Sequence, residues 1–404
     1  MADRRVGLWL IGACGGVGST TALGLAAMAK GLTPPVGLAT ALPQFADLGF
    51  DAAAAFVVGG HDIRQSSFVR SVAELHSRAN VFADPLLTAC RETLEAWGDN
   101  IRPGVLYQAN STLAALADRP DVRIAVKPKA AIAIIRADLE AFKSANKLDQ
   151  VVVVNVASTE PSFPSSPYHD SAMGFQDMLD RGDVGLVPTS TLYSLAAIEA
   201  GMPYLNGTPS LGASFPAAEA LARSQKVPLA GQDFKTGETL MKAVLAPMFA
   251  RRNLKVLSWV GHNILGNRDG QVLNDPANKS SKIKSKDALI AAILGYKPQT
   301  HVSIEYVESL DDWKTAWDHI HYEGFLGTKM TLQFTWQGCD SVLAAPLLLD
   351  VARILLRAQR NGETGSISDL AVFFKSPMGG VTEHQFAEQF MMLERYLLGS
   401  QSTP

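Results

Sequence analysis

The residues near the N-terminus restrict the fold more than any other part of the chain. Residues 6–32 read VGLWLIGACGGVGSTTALGLAAMAKGL, which predicts a short buried strand, a glycine turn, and an alanine-rich helix from about Ser19 to Gly31. Glycine lets a phosphate approach backbone N–H groups where a helix begins. The stretch therefore predicts a strand-turn-helix unit that binds a dinucleotide. The alternative is a tight glycine turn without a ligand, since the spacing is G-x-x-G-G-x-G and not G-x-G-x-x-G.

A dinucleotide-binding unit usually has an acidic residue at the end of its second strand, about 20 residues after the glycine turn. The stretch GLAT at 37–40 has no carboxylate. Asp62 in GGHDI is the nearest substitute. On this interpretation Asp62 reaches the ribose from another loop.

The rest of the chain predicts an α/β fold. Valine-rich runs at 55–60 and 151–158, separated by a helix over 133–147, are typical of parallel strands buried on both faces. Residues 190–200 predict a further helix, closed by Gly201 and Pro203.

After Thr239 the pattern changes to an α+β one. It has a helix at 240–250, a strand at 255–264, a basic segment, a helix at 286–295, and strands at HVSIEYV and KMTLQFTW. A long buried helix at 343–359 then returns to the first unit. We expect a Rossmann-type parallel-sheet domain, residues 1–239 plus 344–404, with an inserted α+β domain at 240–343. The tail after Gly399 is expected to be disordered.

Composition excludes several classes of function. The formal net charge is −3 and 47% of the residues are hydrophobic, which suits a globular protein and not a nucleic-acid binder with a broad basic surface. No apolar stretch reaches the length of a membrane span or a signal peptide. Cys14, Cys90 and Cys339 lie far apart, so neither a disulfide framework nor a zinc knuckle is indicated, and a cytoplasmic location is expected.

Several lysines occur where their chemistry needs an explanation. The segment KSSKIKSK at 279–286 has four lysines, and Lys235, Lys314 and Lys375 are single lysines among apolar residues. The simplest interpretation is a solvated face and amines that reach solvent along apolar stems. The alternative is a cage in which burial and mutual repulsion lower the pKa of an amine towards neutrality, which suits proton transfer.

A metal site is a weaker hypothesis. His319, His321 and Glu323 in DHIHYE alternate and could share one face of a strand, but no further well-spaced ligand accompanies them. We expect no metal site there, and the need for a cation stays open.

Six segments, taken in their order, resemble the myo-inositol-1-phosphate synthase family. They are NGTP (206–209), GQDFKTGET (231–239), GNRDG (266–270) with SSKIKSK (280–286), DDWKTAWD (311–318), CDSVLAAPLLLD (339–350) and FFKSPM (373–378). The likeness runs from Val6 to about Pro377. The motif S-K-x-x-S-K, formed by Ser281, Lys282, Ser285 and Lys286, is its most specific part.

This resemblance implies an NAD-dependent enzyme that cyclises glucose 6-phosphate to 1D-myo-inositol 3-phosphate without net oxidation. Hydride leaves C5, the C5 ketone acidifies C6, the C6 carbanion attacks the C1 aldehyde, and the hydride returns to C5. Cations in a dry site would stabilise the oxyanions that form. The lysine run would then be one wall of a polyanion site. The family also implies a homotetramer assembled through the sheet of the inserted domain.

The resemblance also implies the site residues. The catalytic set is Lys282, Lys286, Lys314, Lys375, Asp233 and Asp340. The cofactor set is Gly12, Cys14, Gly15, Gly16, Val17, Gly18, Ser19, Thr20, Asp62, Arg136, Ala157, Ser158, Thr159, Thr208, Asp233, Arg268, Asp269 and Asp340. The substrate set is Asn267, Asp269, Ser281, Lys282, Lys286, Lys314, Asp318 and Lys375.

The chain departs from the eukaryotic pattern of this family at positions that bear on which substrate the enzyme uses. Arg268 stands where G-N-N-D-G has its second asparagine, and Lys279 and Ser280 precede Ser281 where an arginine is common. These changes leave open a related enzyme that cyclises another sugar phosphate, such as fructose 6-phosphate. An ordinary dehydrogenase that releases NADH, and a cofactor-binding module without catalysis, are the alternatives from other classes.

Overall fold

A computed structural model describes residues 4–109, 111–182, 185, 187–267, 270 and 289–399. Five predicted site residues lie outside the described residues, namely Arg268, Asp269, Ser281, Lys282 and Lys286. The predicted disordered tail also lies outside them.

The strands and helices alternate over the first part of the chain. The strands are β1 (Val6–Ile11), β2 (Phe56–Asp62), β3 (Ile101–Pro103), β4 (Val105–Leu106), β5 (Arg123–Ile124), β6 (Gln150–Asn155), β7 (Tyr204–Asn206), β8 (Pro228–Gly231), β9 (Lys255–Leu265), β10 (Gln299–Tyr306), β11 (Trp313–Glu323), β12 (Lys329–Cys339) and β13 (Gly365–Ser366). The α-helices are α1 (Gly16–Ala29), α2 (Phe68–Ala79), α3 (Asp84–Gly98), α4 (Ser111–Ala114), α5 (Pro128–Ala145), α6 (Ala172–Arg181), α7 (Thr189–Glu199), α8 (Pro216–Ser224), α9 (Gly237–Arg251), α10 (Asp340–Arg360) and α11 (Phe386–Leu398). Residues 289–294 are also helical.

The larger sheet has seven strands in the order β13-β8-β7-β6-β1-β2-β3, and every neighbouring pair is parallel. All residues of β1 and β2 are buried, as expected when helices cover both faces of a parallel sheet. The chain leaves β1 for β2 on one side and reaches β6 on the other. The predicted Rossmann-type α/β fold is confirmed.

The strand predicted at 55–60 is confirmed as β2, but the expectation that the second strand ends near residues 37–40 was wrong. Residues 39–41, within the GLAT region, form a 3-10 turn, and the strand paired with β1 is β2, which ends at Asp62. Asp62 therefore occupies the strand-end position that an acidic residue usually fills in this fold. The sequence interpretation failed because an unusually long connection separates α1 from β2.

The smaller sheet lies between α9 and α10 in sequence and has the order β10-β9-β11-β12. Strand β9 is parallel to β10 and antiparallel to β11, which is antiparallel to β12. Its inner face packs on α9 and on residues 289–294 through a cluster of Ala246, Phe249, Val256, Trp259, Leu289, Ile290 and Ile320. The sequence analysis predicted β9, β10 and β12 but considered only the end of β11, residues 319–323, as a strand. The apolar alternation of β11 is interrupted by Asp318.

The core around the larger sheet also includes the long helix predicted at 343–359, which extends over Asp340–Arg360 and packs against α1. None of the described helices is both long and apolar enough to cross a membrane.

Candidate active site

The predicted cofactor residues come together because they follow the carboxyl ends of neighbouring parallel strands. Strands β1, β2, β6, β7 and β8 all end at one edge of the sheet, where loops normally form the ligand site. A cavity of about 610 Å³ opens at this edge. Its size suits a small-molecule site.

The glycine turn after β1 is fixed by backbone contacts. Gly12 has a positive φ of 87°, a conformation that favours glycine, and the carbonyl of His61 accepts hydrogen bonds from the N–H groups of Gly12 and Ala13. A Cβ at Gly18 would lie 2.6 Å from the Ala13 carbonyl oxygen. Only glycine fits there. The first N–H groups of α1 have no intrahelical acceptors, and Gly16 and Val17, where the helix begins, line the cavity.

Asp62 holds this turn. Its carboxylate accepts hydrogen bonds from the N–H of Cys14 at 2.6 Å and from the N–H of Arg64 at 2.8 Å. Burial raises the pKa of the Asp62 carboxyl, and the two N–H donors oppose this effect. The Arg64 guanidinium donates to the Cys14 carbonyl at 2.9 Å. The acid at the end of β2 therefore also fixes the backbone of the turn.

Buried amides fix the loops after β6 and β7. The Asn155 side chain donates to Asn206 at 3.3 Å and to Thr208 at 3.2 Å, and the Thr208 N–H donates to Asn206 Oδ1 at 3.1 Å. Glu160 in turn accepts from the N–H of Ser190 in the first turn of α7, a position that favours a carboxylate. The two loops thus have a single arrangement on the wall of the cavity.

Two lysine-carboxylate pairs line the cavity. Lys375 Nζ lies 2.9 Å from Asp233 Oδ1, with side chains 16% and 11% exposed. Lys314 Nζ lies 3.5 Å from Asp340 Oδ2, with both side chains 20% exposed. Ammonium groups beside carboxylates in a part-buried site can bind a phosphate or stabilise an oxyanion.

Comparison with known proteins identifies the family. A sequence model named as an NAD-binding family and described as myo-inositol-1-phosphate synthase matches residues 41–397. The chain is 33% identical to inositol-3-phosphate synthase 1 of Bacteroides thetaiotaomicron over 98% of this chain and 95% of that protein. It is 31% identical to inositol-3-phosphate synthase 1 of Populus euphratica, over 84% of this chain and 70% of that protein.

The chain belongs to the myo-inositol-1-phosphate synthase family. Its fold matches that of inositol-3-phosphate synthase from Caenorhabditis elegans with a TM-score of 0.86, over 98% of this chain and 85% of that one at 24% identity. A myo-inositol-1-phosphate synthase-related protein from Thermotoga maritima matches with a TM-score of 0.77, over 98% of both chains at 23% identity. As a member of this family the chain is an enzyme of the isomerase and cyclase class, of the kind that forms inositol phosphate from glucose 6-phosphate.

Most of the family residues predicted from the sequence line the one cavity. The cofactor residues that do so are Gly12, Cys14, Gly15, Gly16, Val17, Asp62, Ala157, Ser158, Thr159, Thr208, Asp233 and Asp340, and the substrate residues are Asn267, Lys314 and Lys375. Gly18, Ser19 and Thr20 lie behind them within α1. Arg136 does not reach the cavity lining, because it lies on α5 beside Glu140 and Glu199.

Asp318 does not reach the cavity either. It is fully buried and accepts a hydrogen bond from Trp259 Nε1 at 2.8 Å, beneath the smaller sheet. It shares a strand face with Lys314 but lies four residues further along β11, which is about 13 Å in a strand. We therefore remove Asp318 from the predicted substrate set.

Asp312 is a cavity residue that the sequence analysis missed. Its carboxylate accepts from the N–H and hydroxyl of Ser341 at 2.9 and 3.0 Å and from the Asn267 amide at 3.3 Å. A Cβ at Gly16 would lie 2.2 Å from the Ser341 hydroxyl. Asp312 thus connects the segment after β9, the start of α10 and the glycine turn. The sequence signal that could have identified Asp312 is its position two residues before Lys314.

The residues present fit the nicotinamide dinucleotide that the family model implies. At the start of α1, Cβ atoms added to the turn glycines would collide with neighbouring atoms, so the turn forms a glycine cradle. Asp62 stands beside this cradle at the end of β2. The Gly12–Val17 turn would hold the pyrophosphate and Asp62 the adenine ribose. For a metal, the described residues contain no group of three or more histidine, cysteine, aspartate or glutamate side chains placed to hold an ion.

Proposed function

We propose that this enzyme uses NAD to convert glucose 6-phosphate into 1D-myo-inositol 3-phosphate without net oxidation. The observation that supports the proposal most is that the glycine turn and both lysine-carboxylate pairs line the same cavity. Bound NAD would supply a hydride acceptor for C5 of the sugar and return the hydride later. The chain itself would bind the phosphate, move protons and stabilise the oxyanions.

The proposal assigns a separate role to each active-site lysine, except that Lys314 and Lys286 share one. Lys375, held by Asp233, meets the C1 aldehyde oxygen, and its charge stabilises the alkoxide that forms when the ring closes. Lys314, with Asp340, shares enolate and phosphate stabilisation with Lys286. Lys282 moves the C5 hydroxyl proton. The assignments of Lys282 and Lys286 depend on the family motif alone, since both lie outside the described residues.

The experiment that tests the proposal is a phosphorus NMR time course with the purified protein and catalytic NAD. Glucose 6-phosphate and fructose 6-phosphate are supplied in separate reactions, and absorbance at 340 nm is followed in parallel. We expect an inositol phosphate from glucose 6-phosphate and no accumulation of NADH. Turnover of fructose 6-phosphate alone would contradict the proposed substrate, and a steady rise in NADH would indicate a dehydrogenase.

Replacing Lys282 tests the segment outside the described residues. Lys282→Ala should abolish turnover and leave the Kd for NAD unchanged, because the amine acts on the sugar. Lys284→Ala is the matched control from the same basic run, and it should retain activity. Retained activity in Lys282→Ala would remove this lysine from the mechanism.

We also propose the division into two domains and a homotetramer. The first domain is 1–239 plus 344–404, and the second is 240–343, which contains the smaller sheet. The outer face of that sheet supports an interface between copies: Trp317 is 57% exposed, and His262 lies beside it and beside His301, at ring distances of 6.2 and 5.8 Å. The three cysteines are free and buried, which supports the cytoplasm as the compartment.

A further inference from the structure

Lys235 is a buried lysine that the proposed mechanism does not use. It is 3% exposed and lies two residues after Asp233. Asp233, Phe234, Thr236 and Lys375 line the cavity, whereas Lys235 does not. The amine of Lys235 therefore lies behind the wall from which Asp233 and Lys375 face the cavity.

The wall itself is a short two-stranded ribbon formed by residues 231–235 and 373–378, which we call the Asp233–Lys375 ribbon. The N–H of Lys375 donates to the Asp233 carbonyl at 2.7 Å, and the N–H of Lys235 donates to the Phe373 carbonyl at 2.8 Å. Phe234 and Phe374 stack with centroids 5.8 Å apart. This pairing sets the side chains of Asp233 and Lys375 next to each other.

The side chain of Lys235 connects the ribbon to the C-terminal helix. Its ammonium donates to the Gln389 side-chain oxygen and to the Ala371 carbonyl at 3.3 Å. Gln389 lies on α11, is fully buried, and donates through its own amide nitrogen to the Glu383 carbonyl at 2.6 Å. One chain of hydrogen bonds thus runs from α11 through Gln389 and Lys235 to the ribbon.

We propose that Lys235 is a positioning residue for the Asp233–Lys375 pair, which it couples to the C-terminal helix through Gln389. The inference depends on the proposed function, in which Lys375 meets the substrate. Lys235 touches no substrate. It fixes the ribbon so that the Lys375 amine stays in one position, and small displacements of a reacting group have large effects on rate.

Charges around Lys235 support the coupling. The charged or titratable groups that face it are Lys375 on the ribbon, and Glu383 and His384 in the segment before α11. Burial lowers the pKa of Lys235 to about 7, and the positive charge of Lys375 acts in the same direction while Glu383 opposes it. Protonation of Lys235 therefore changes the field at Lys375 within the range near neutral pH.

The first test compares Lys235→Met with Gln389→Leu and with the double variant. Methionine keeps much of the apolar volume but removes the amine. We expect kcat to fall by about 10- to 100-fold in Lys235→Met, as misplacement of a reacting group predicts, with the Kd for NAD unchanged. Gln389→Leu should lower kcat less. The double variant should be no slower than Lys235→Met, because both changes break the same connection.

The pH dependence separates positioning from a purely structural role. The wild-type log kcat should show an inflection near pH 7 that Lys235→Met lacks. Gln389→Glu should move this inflection to higher pH, because a carboxylate stabilises the ammonium form. An unchanged kcat per folded molecule in Lys235→Met, or multiplicative effects of the two single variants, would overturn the inference. If Lys235→Met does not fold, the absence of any shift in Gln389→Glu would overturn it.

One readout does not need turnover. Competitive labelling of amines with acetic anhydride, measured by mass spectrometry on the Lys375 peptide, reports the environment of Lys375 directly. The pH profile of Lys375 labelling should differ between the wild type and Gln389→Glu. If the wild type fails to turn over glucose 6-phosphate, the proposed function is wrong. An identical Lys375 labelling profile in the wild type and Gln389→Glu would contradict the positioning role of Lys235 and leave the proposed function standing.

Discussion

Lys375 and Asp233 form a side-chain pair whose two members come from distant parts of the sequence. The pair is 2.9 Å apart although 142 residues separate its members. Lys375→Met should lower kcat by about 10²- to 10⁴-fold, the range for loss of a group that acts on a proton or an oxyanion. The Kd for NAD, measured by titration calorimetry, should stay within a factor of two. Lys329→Met, an exposed lysine on β12, is the control.

Lys235 makes a second prediction at the scale of the residue, and it concerns stability. A lysine with a pKa of about 7 in the folded protein and an ordinary value of 10.5 binds fewer protons when folded between these two pH values. The free energy of unfolding should therefore gain a contribution that rises from pH 7 to pH 10.5. In Lys235→Met this contribution should be absent. Urea denaturation of both proteins at pH 7 and pH 9.5 measures it, and an equal pH dependence in the two proteins would contradict the predicted burial cost.

Helix α1 is the element on which the proposed NAD binding depends, and its glycines have different surroundings. Gly18 faces the turn backbone, where a Cβ would lie 2.6 Å from the Ala13 oxygen and 2.8 Å from the Gly12 oxygen. Gly24, on the same helix, has nothing within 4 Å of an added Cβ. The two positions are a matched pair with the same residue and the same helix but opposite surroundings.

Gly18→Ala should raise the Kd for NAD at least about tenfold, because the cradle backbone must move away from the pyrophosphate. It should also lower Tm. Gly24→Ala should leave the Kd unchanged and stabilise the protein by about 0.5–1 kcal/mol, since alanine favours the helix. Calorimetry and thermal unfolding measure both quantities. Equal effects of the two substitutions would mean that the turn does not form the cradle.

At the scale of the whole molecule, the outer face of the smaller sheet is the surface that the proposed tetramer has to cover. Trp317→Glu places a charge on this face and should reduce the tetramer to smaller species, since burying an unpaired carboxylate is costly. Met173→Glu, at a residue 77% exposed on α6, should leave the assembly unchanged. Size-exclusion chromatography with light scattering gives the masses. A wild-type protein that is monomeric would contradict the proposed assembly.

The sequence by itself determined the strand-turn-helix unit, the parallel sheet and the family. The first two depend on local hydrophobic periodicity and on glycines 12, 15, 16 and 18, which act over a few residues. The family could be identified from the sequence because each of its motifs is a contiguous run of residues. Lys314, Lys375, Asp233 and Asp340 were therefore found without coordinates.

Only the tertiary structure decided which side chains meet. It showed that Asp62 ends the strand beside β1, that Asp318 lies under Trp259 and outside the cavity, and that Asp312 binds Ser341 across 29 residues of chain. It also placed the side chain of Lys235 on the side of the ribbon away from the cavity, although its neighbours in sequence line the cavity. The physical reason is that strand register and helix packing determine these contacts. Both depend on burial of side chains distant in sequence, which no local pattern encodes.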